Sequence, residues 1–155
     1  MAGTITGYNI GATKELNEPD HDGNIGGHSV WYCWNPTNSG PFIFDTIGSD
    51  FDTTLGVYTG NAVDSLTVRA SDNDSGSNLT SRVTFEAVAG TTYHIAVDGV
   101  SGATGNIVLN WIPTCRLTIR KLSPSSIQLS LSGAPSTNSR LLQTLFTGPR
   151  SPISH

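Results

Sequence analysis

The chain has 155 residues, a net charge of −4, and only 13% charged side chains, while Gly, Ser, Thr and Asn are abundant. That length suits one domain, or one domain plus part of a second. Low charge with short apolar runs and many small polar residues favours an all-β extracellular protein over a helical cytosolic one. No run of about 18 apolar residues is present, which excludes a helical membrane span.

In chain order, the start "MAGTITGYN" has neither the charged n-region nor the apolar h-region of a signal peptide. A mature or excised fragment would look the same, so the expected location is extracellular or cell surface. Strands are expected at 28–34 (HSVWYCW), 41–47 (PFIFDTI), 53–59 (TTLGVYT), 65–71 (SLTVRAS), 81–88 (SRVTFEAV), 92–99 (TYHIAVDG) and 105–112 (GNIVLNWI). In RVTFEAV, Val83, Phe85 and Ala87 share one face, and in TYHIAV, Tyr93, Ile95 and Val97 do the same. The connectors NPTNSGP, YTGNAVD, DNDSGSN and DGVSGATG carry turn chemistry. No stretch holds helical periodicity beyond about two turns. The expected fold is an all-β, jelly-roll-like antiparallel β-sandwich.

After WIPT the character changes. Two further strand-like runs, 115–120 and 126–132, flank a Ser-Pro turn, and the remainder loses strong alternation. We therefore divide the chain into a sandwich at 3–113 and a strand-rich, truncated appendage at 114–155. Charge divides in a similar way. All twelve acids lie at or before Asp98, against Lys14, Arg69 and Arg82, for a net −9; five basic residues and no acid follow. An acidic body repels polyanions, and the scattered basic tail lacks aromatic interleaving, which argues against a nucleic-acid partner. Cys33 and Cys115 do not have zinc-site spacing. They remain either one disulfide closing a long loop or two free thiols.

Four blocks, GATKELNEPDHDG, SVWYCWNP, GSDFDTTLGVYTGN and AGTTYHIAVDG, keep an order and spacing that resemble the bacterial pre-peptidase C-terminal domain. The resemblance spans roughly residues 3–112. The tail LTIRKLSPSSIQLSLSGAP resembles the start of a fibronectin-like repeat, from which RLLQTLFTGPRSPISH departs. The resemblance implies a non-catalytic β-sandwich attached to exported enzymes and surface proteins. Relatives such as the collagen-binding domains of bacterial collagenases bind calcium and a polymer. The expected function is thus a calcium-stabilised accessory module that binds a polysaccharide or protein polymer. A structural spacer is one alternative.

The metal-ligand candidates sit in two acidic loops. Glu18, Asp20, Asp22 and Gly23 imitate positions 1, 3, 5 and 6 of a calcium loop, but Ser29 occupies the place of its bidentate Glu. Glu15 and Glu18 match the family block, whereas Asp20 and Asp22 fall at variable positions. Asp72, Asn73 and Asp74 form the second loop, which serves equally well as a solvated hairpin turn. Asp52 is expected as a buried carboxylate accepting backbone N–H bonds, and Asp98 as a turn residue. Trp31, Tyr32, Trp34, Tyr58 and Trp111 fit core positions better than a stacking platform. No nucleophile elbow or HExxH motif occurs. The enzymatic alternative is a small calcium-dependent hydrolase of an ester or lactone, in which a metal activates water beside His21 or His94.

Overall fold

The computed structural model describes residues 1–114, 116–123 and 126–132, with side chains through Thr114. The chain divides after Thr114 into two units. The first contains eight strands: β1 (Gly3–Tyr8), β2 (Val30–Trp34), β3 (Gly40–Asp45), β4 (Thr53–Thr59), β5 (Thr67–Asp72), β6 (Arg82–Ala87), β7 (Tyr93–Gly99) and β8 (Asn106–Pro113). They form two antiparallel four-stranded sheets, ordered β1-β8-β3-β6 and β2-β7-β4-β5, packed as a sandwich. The first four strands alternate between the sheets, as do the last three, which is the jelly-roll arrangement. In the second unit, β9 (Arg116–Ser123) and β10 (Ser126–Ser132) pair as an antiparallel hairpin.

All seven expected strands of the sandwich are present, and the bounds of β4 match the reading to the residue. The strand missed is β1. GTITGY has weak apolar alternation, and it becomes a strand by pairing with β8, from Gly3 opposite Trp111 to Tyr8 opposite Asn106. Tertiary pairing here overrides a poor local signal. Gly3 is needed in this edge strand, because a Cβ would lie 2.2 Å from the Trp111 ring.

The core lies between the sheets. Phe42, Phe44, Val83, Phe85, Ala87, Ile107 and Leu109 come from one sheet and Leu55, Val57, Tyr93, Ile95 and Val97 from the other. Strand β6 alternates as expected, with Val83, Phe85 and Ala87 buried and Arg82, Thr84 and Glu86 exposed. Trp34 enters edge-on between Phe42 and Phe44, with ring centroids 4.7 and 4.9 Å away. Edge-to-face contacts of this kind add roughly 0.5–1.5 kcal/mol beyond area burial.

The two sheets differ on their outer faces. Strands β4 and β7, central in their sheet, are buried on both sides. Their outward residues are Thr54, Gly56 and Tyr58 on β4, opposite Asp98, Ala96 and His94 on β7. Several of these outward groups bond to residues 12–28, a segment with no strand or helix, which lies over this face.

Ile95 is fully buried at the centre of the core. Ile95→Ala is expected to lower unfolding free energy by about 2–5 kcal/mol, measured by urea denaturation; a loss under about 1 kcal/mol would contradict this core position.

Candidate functional site

The outer face of the β2-β7-β4-β5 sheet carries a chain of buried polar contacts. Glu18 and His21 are almost completely buried although they lie outside any strand. His21 Nε2 is 3.1 Å from Glu18 Oε1, and its Nδ1 is 2.6 Å from Tyr58 Oη. Glu18 also accepts hydrogen bonds from Trp31 Nε1 at 3.2 Å and from the Glu15 backbone N–H at 2.8 Å. A carboxylate only accepts, so His21 Nε2 carries the proton and donates. In the neutral ring Nδ1 is then an acceptor, and the Tyr58 hydroxyl donates to it.

Burial holds the His21 pKa below its ordinary value, outweighing the opposing pull of Glu18 and of Asp98. Burial, with the charges of Glu18, Asp22 and Asp20, pushes Tyr58 up to about 12. Both shifts favour the neutral imidazole and the protonated phenol that the hydrogen bonds require. Trp31 and Tyr58 flank the imidazole, at centroid distances of 5.4 and 5.6 Å. Gly56 makes room for Tyr58, since a Cβ there would lie 2.4 Å from its ring.

Asp98 is a second anchor, which corrects its reading as a turn residue. It is fully buried in β7 and accepts hydrogen bonds from the backbone N–H groups of Gly27 and His28, both at 2.9 Å. At Gly26, φ is +60° and a Cβ would fall 1.8 Å from Asp98 Oδ2, so glycine is required there. The sequence signal that could have found this anchor is the GG pair at 26–27 together with an acid ending the apolar run Ile95–Val97 of β7.

The acidic candidates of the first loop are dispersed by these contacts. Glu18 is engaged inward, Asp20 pairs with Lys14 Nζ at 2.5 Å, and Asp22 accepts from Ser71 Oγ at 2.9 Å. The Glu15 side chain instead lines a shallow groove. Among the described residues no group of three or more His, Cys, Asp or Glu side chains is arranged to hold a metal ion.

The second loop follows β5, whose Ser71 is the partner of Asp22 in the first loop. Asp72 accepts from the N–H groups of Ser75 and Arg82 at 2.9 and 2.8 Å, so it closes its own turn. Nearby, Thr46, Thr53 and Ser81 form a buried hydroxyl network that includes the Asn73 carbonyl. Two side-chain oxygens in this region, Asp52 Oδ1 and Asn73 Oδ1, are buried without a partner. Asp52 therefore departs from the expectation that backbone N–H groups satisfy its carboxylate; Asp50 does that instead, with Asn106 N at 2.6 Å. Burial and the neighbouring charge of Asp74 raise the Asp52 pKa.

Of the two histidines suggested as bases, His21 is sealed from solvent with both nitrogens occupied. His94 is half-buried on β7 and faces a groove of about 230 Å³ lined also by Trp31, Glu15, Asn61, Val63 and Leu66. Its Nε2 is 3.0 Å from the Gly60 carbonyl and its Nδ1 is 3.6 Å from Cys33 Sγ. Cys33 is exposed with a free thiol, and the Cys33–Cys115 pairing question involves Cys115, which lies outside the described residues.

Among the described residues, no helix is long and apolar enough to cross a membrane. Comparison with known proteins adds no relative: no family model matches the chain, and no curated protein matches its sequence.

A histidine with a lowered folded-state pKa binds fewer protons when folded than when unfolded, so its contribution to stability is complete above the unfolded value and declines as pH falls toward the folded one. The melting temperature should therefore drop as pH falls below about 6.5. His21→Gln can still donate to Glu18 and accept from Tyr58 but does not titrate. Its melting temperature should vary less than that of the parent between pH 7 and pH 5, as read by circular dichroism; identical slopes would remove His21 as the titrating group.

Proposed function

We propose that the sandwich is a calcium-stabilised, non-catalytic binding module of an exported bacterial protein, recognising a polysaccharide or protein polymer. The observation that carries this reading is the groove beside Trp31. It combines an aromatic side chain and the aliphatic Val63 and Leu66 with the polar Glu15, Asn61 and His94, on a face already stiffened by the buried Glu18–His21–Tyr58 chain. An apolar wall with a few convergent polar groups is the usual composition of a ligand cleft. The burial of His21 counts against its use as the base of a hydrolase, because neither ring nitrogen can reach a substrate.

Calcium would be held at the loop end of the sandwich rather than in the first acidic loop. Asp52 and Asn73 each contribute a buried oxygen without a partner, and Asp74 is close enough to raise the Asp52 pKa. Two carboxylates and an amide carbonyl, with backbone carbonyls and water, are the donor types this hard cation takes. A cation there would remove the repulsion between Asp52 and Asp74 and compensate the desolvated oxygens. Its role would be structural.

Calcium at a hundred times its Kd should stabilise the chelator-treated protein by about 2.7 kcal/mol, a melting rise of roughly 10 °C. Asp52→Asn with Asp74→Asn should abolish that rise. No heat in calorimetric titration and no melting shift would remove the metal from the reading.

The binding function is tested separately by co-sedimentation with cellulose, chitin and collagen fibrils. Saturable binding to one of them is expected, weakened about ten-fold (1.4 kcal/mol) by Asn61→Ala. Absence of binding to all of them, in calcium-saturated folded protein, would leave a structural spacer.

A further inference from the structure

We propose that Cys33 and His94 form a thiol-exchange site for low-molecular-weight disulfides, a property that stands apart from polymer or calcium binding. The two residues are directly opposite each other in the β2–β7 ladder, and both side chains project from the outer face of the sheet. Their separation, 3.6 Å from Sγ to Nδ1, is within reach of a hydrogen bond to the large sulfur atom.

The tautomer of His94 follows from its other contact. The Gly60 carbonyl only accepts, so the Nε2 hydrogen must point to it at 3.0 Å. In the neutral ring Nδ1 then carries the lone pair, and it faces the Cys33 S–H. A nucleophile, a base in contact with it and a third group orienting that base make up the arrangement that activates side-chain nucleophiles.

Packing does not account for Cys33. Free cysteine is among the most buried residue types, yet Cys33 is exposed on β2, an edge strand of its sheet. Its neighbours Trp31 and Trp34 are both partly buried, so the exposure belongs to this position and not to the strand as a whole. His94 also lines the groove, whose Val63 and Leu66 offer an apolar wall to the substituent of an incoming disulfide.

In the exchange, His94 Nδ1 takes the Cys33 thiol proton and the thiolate attacks one sulfur of R–S–S–R. The R–S–S–R bond breaks as the Cys33–S–S–R bond forms, and R–S⁻ leaves with the electron pair. The imidazolium returns its proton to R–S⁻, releasing R–SH. One disulfide is consumed and one is made, so the incoming disulfide is the oxidant. The rate of such exchange rises with the thiolate fraction and with access to the sulfur.

The test uses the full chain with Cys115→Ser, 2-hydroxyethyl disulfide at pH 6.5, and intact-mass detection with peptide mapping of the adduct. Cys33 is expected to react about ten-fold faster than glutathione under the same conditions, and His94→Gln to bring it within about two-fold of glutathione. Unfolding the Cys115→Ser chain in urea should slow Cys33 by a similar factor despite greater access, which tests the pair without a substitution at His94. A folded-state rate equal to that of glutathione overturns the proposal, as does a His94→Gln variant with unchanged melting temperature and the parent's rate. A native chain in which Cys33 is already bridged to Cys115 and inert to the probe overturns it as well.

Discussion

The hydrogen bond from Tyr58 to His21, continued from His21 to Glu18, is the contact on which the outer face of this sandwich depends. A jelly roll needs only its inner faces covered, and the sheet containing β1 fits that description: Thr84 and Glu86 point to solvent. The other sheet is covered on both sides, because residues 12–28 lie across β4 and β7. A segment without strand or helix satisfies only part of its polar groups internally, so it needs further partners supplied by the sheet. Tyr58 and Asp98 supply them from neighbouring strands, at the two ends of the covered face.

Such a polar interface is stabilising only when every member is paired, since a buried donor or acceptor left alone costs about 1–3 kcal/mol. Along the strap the pairing is complete for His21 and for both oxygens of Glu18. It is incomplete at the loop end of the sandwich. There Asp52 and Asn73 hold unpartnered buried oxygens within a few residues of a fully bonded hydroxyl network of Thr46, Thr53 and Ser81. Thr54 Oγ1, on the covered face of β4, and Ser29 Oγ are also buried without a partner, so unpaired oxygens are not confined to the loop end.

Turning Glu18 and His21 inward also shapes what is left outside. With these two groups withdrawn, the titratable side chains facing the groove are Glu15 and His94. The groove's floor is rigid because Trp31 is held by its indole N–H on Glu18 and by ring contacts to His21 and Tyr58. Rigid aromatic surface bound at little entropic cost suits recognition. Beside it, the pairing of β2 with β7 sets Cys33 against His94, a proximity that arises from strand register and not from any local motif.

The sequence by itself determined seven of the sandwich's eight strands and the class of fold, because alternation such as Val83, Phe85, Ala87 on one face reports burial of that face directly. It also marked the acidic first loop as a place to look, but spacing carries no information on where each side chain turns. Only the tertiary structure decided that Glu18 faces Trp31 and His21, that Asp20 pairs with Lys14, and that Asp98 is an anchor. It alone made GTITGY a strand, through the register with β8. Several of the deciding contacts join residues far apart in the chain, Tyr58 with His21, Asp98 with Gly27, Cys33 with His94. Burial periodicity is a local property that one strand expresses alone, whereas the partner of a polar group is chosen by the packing of the whole sandwich.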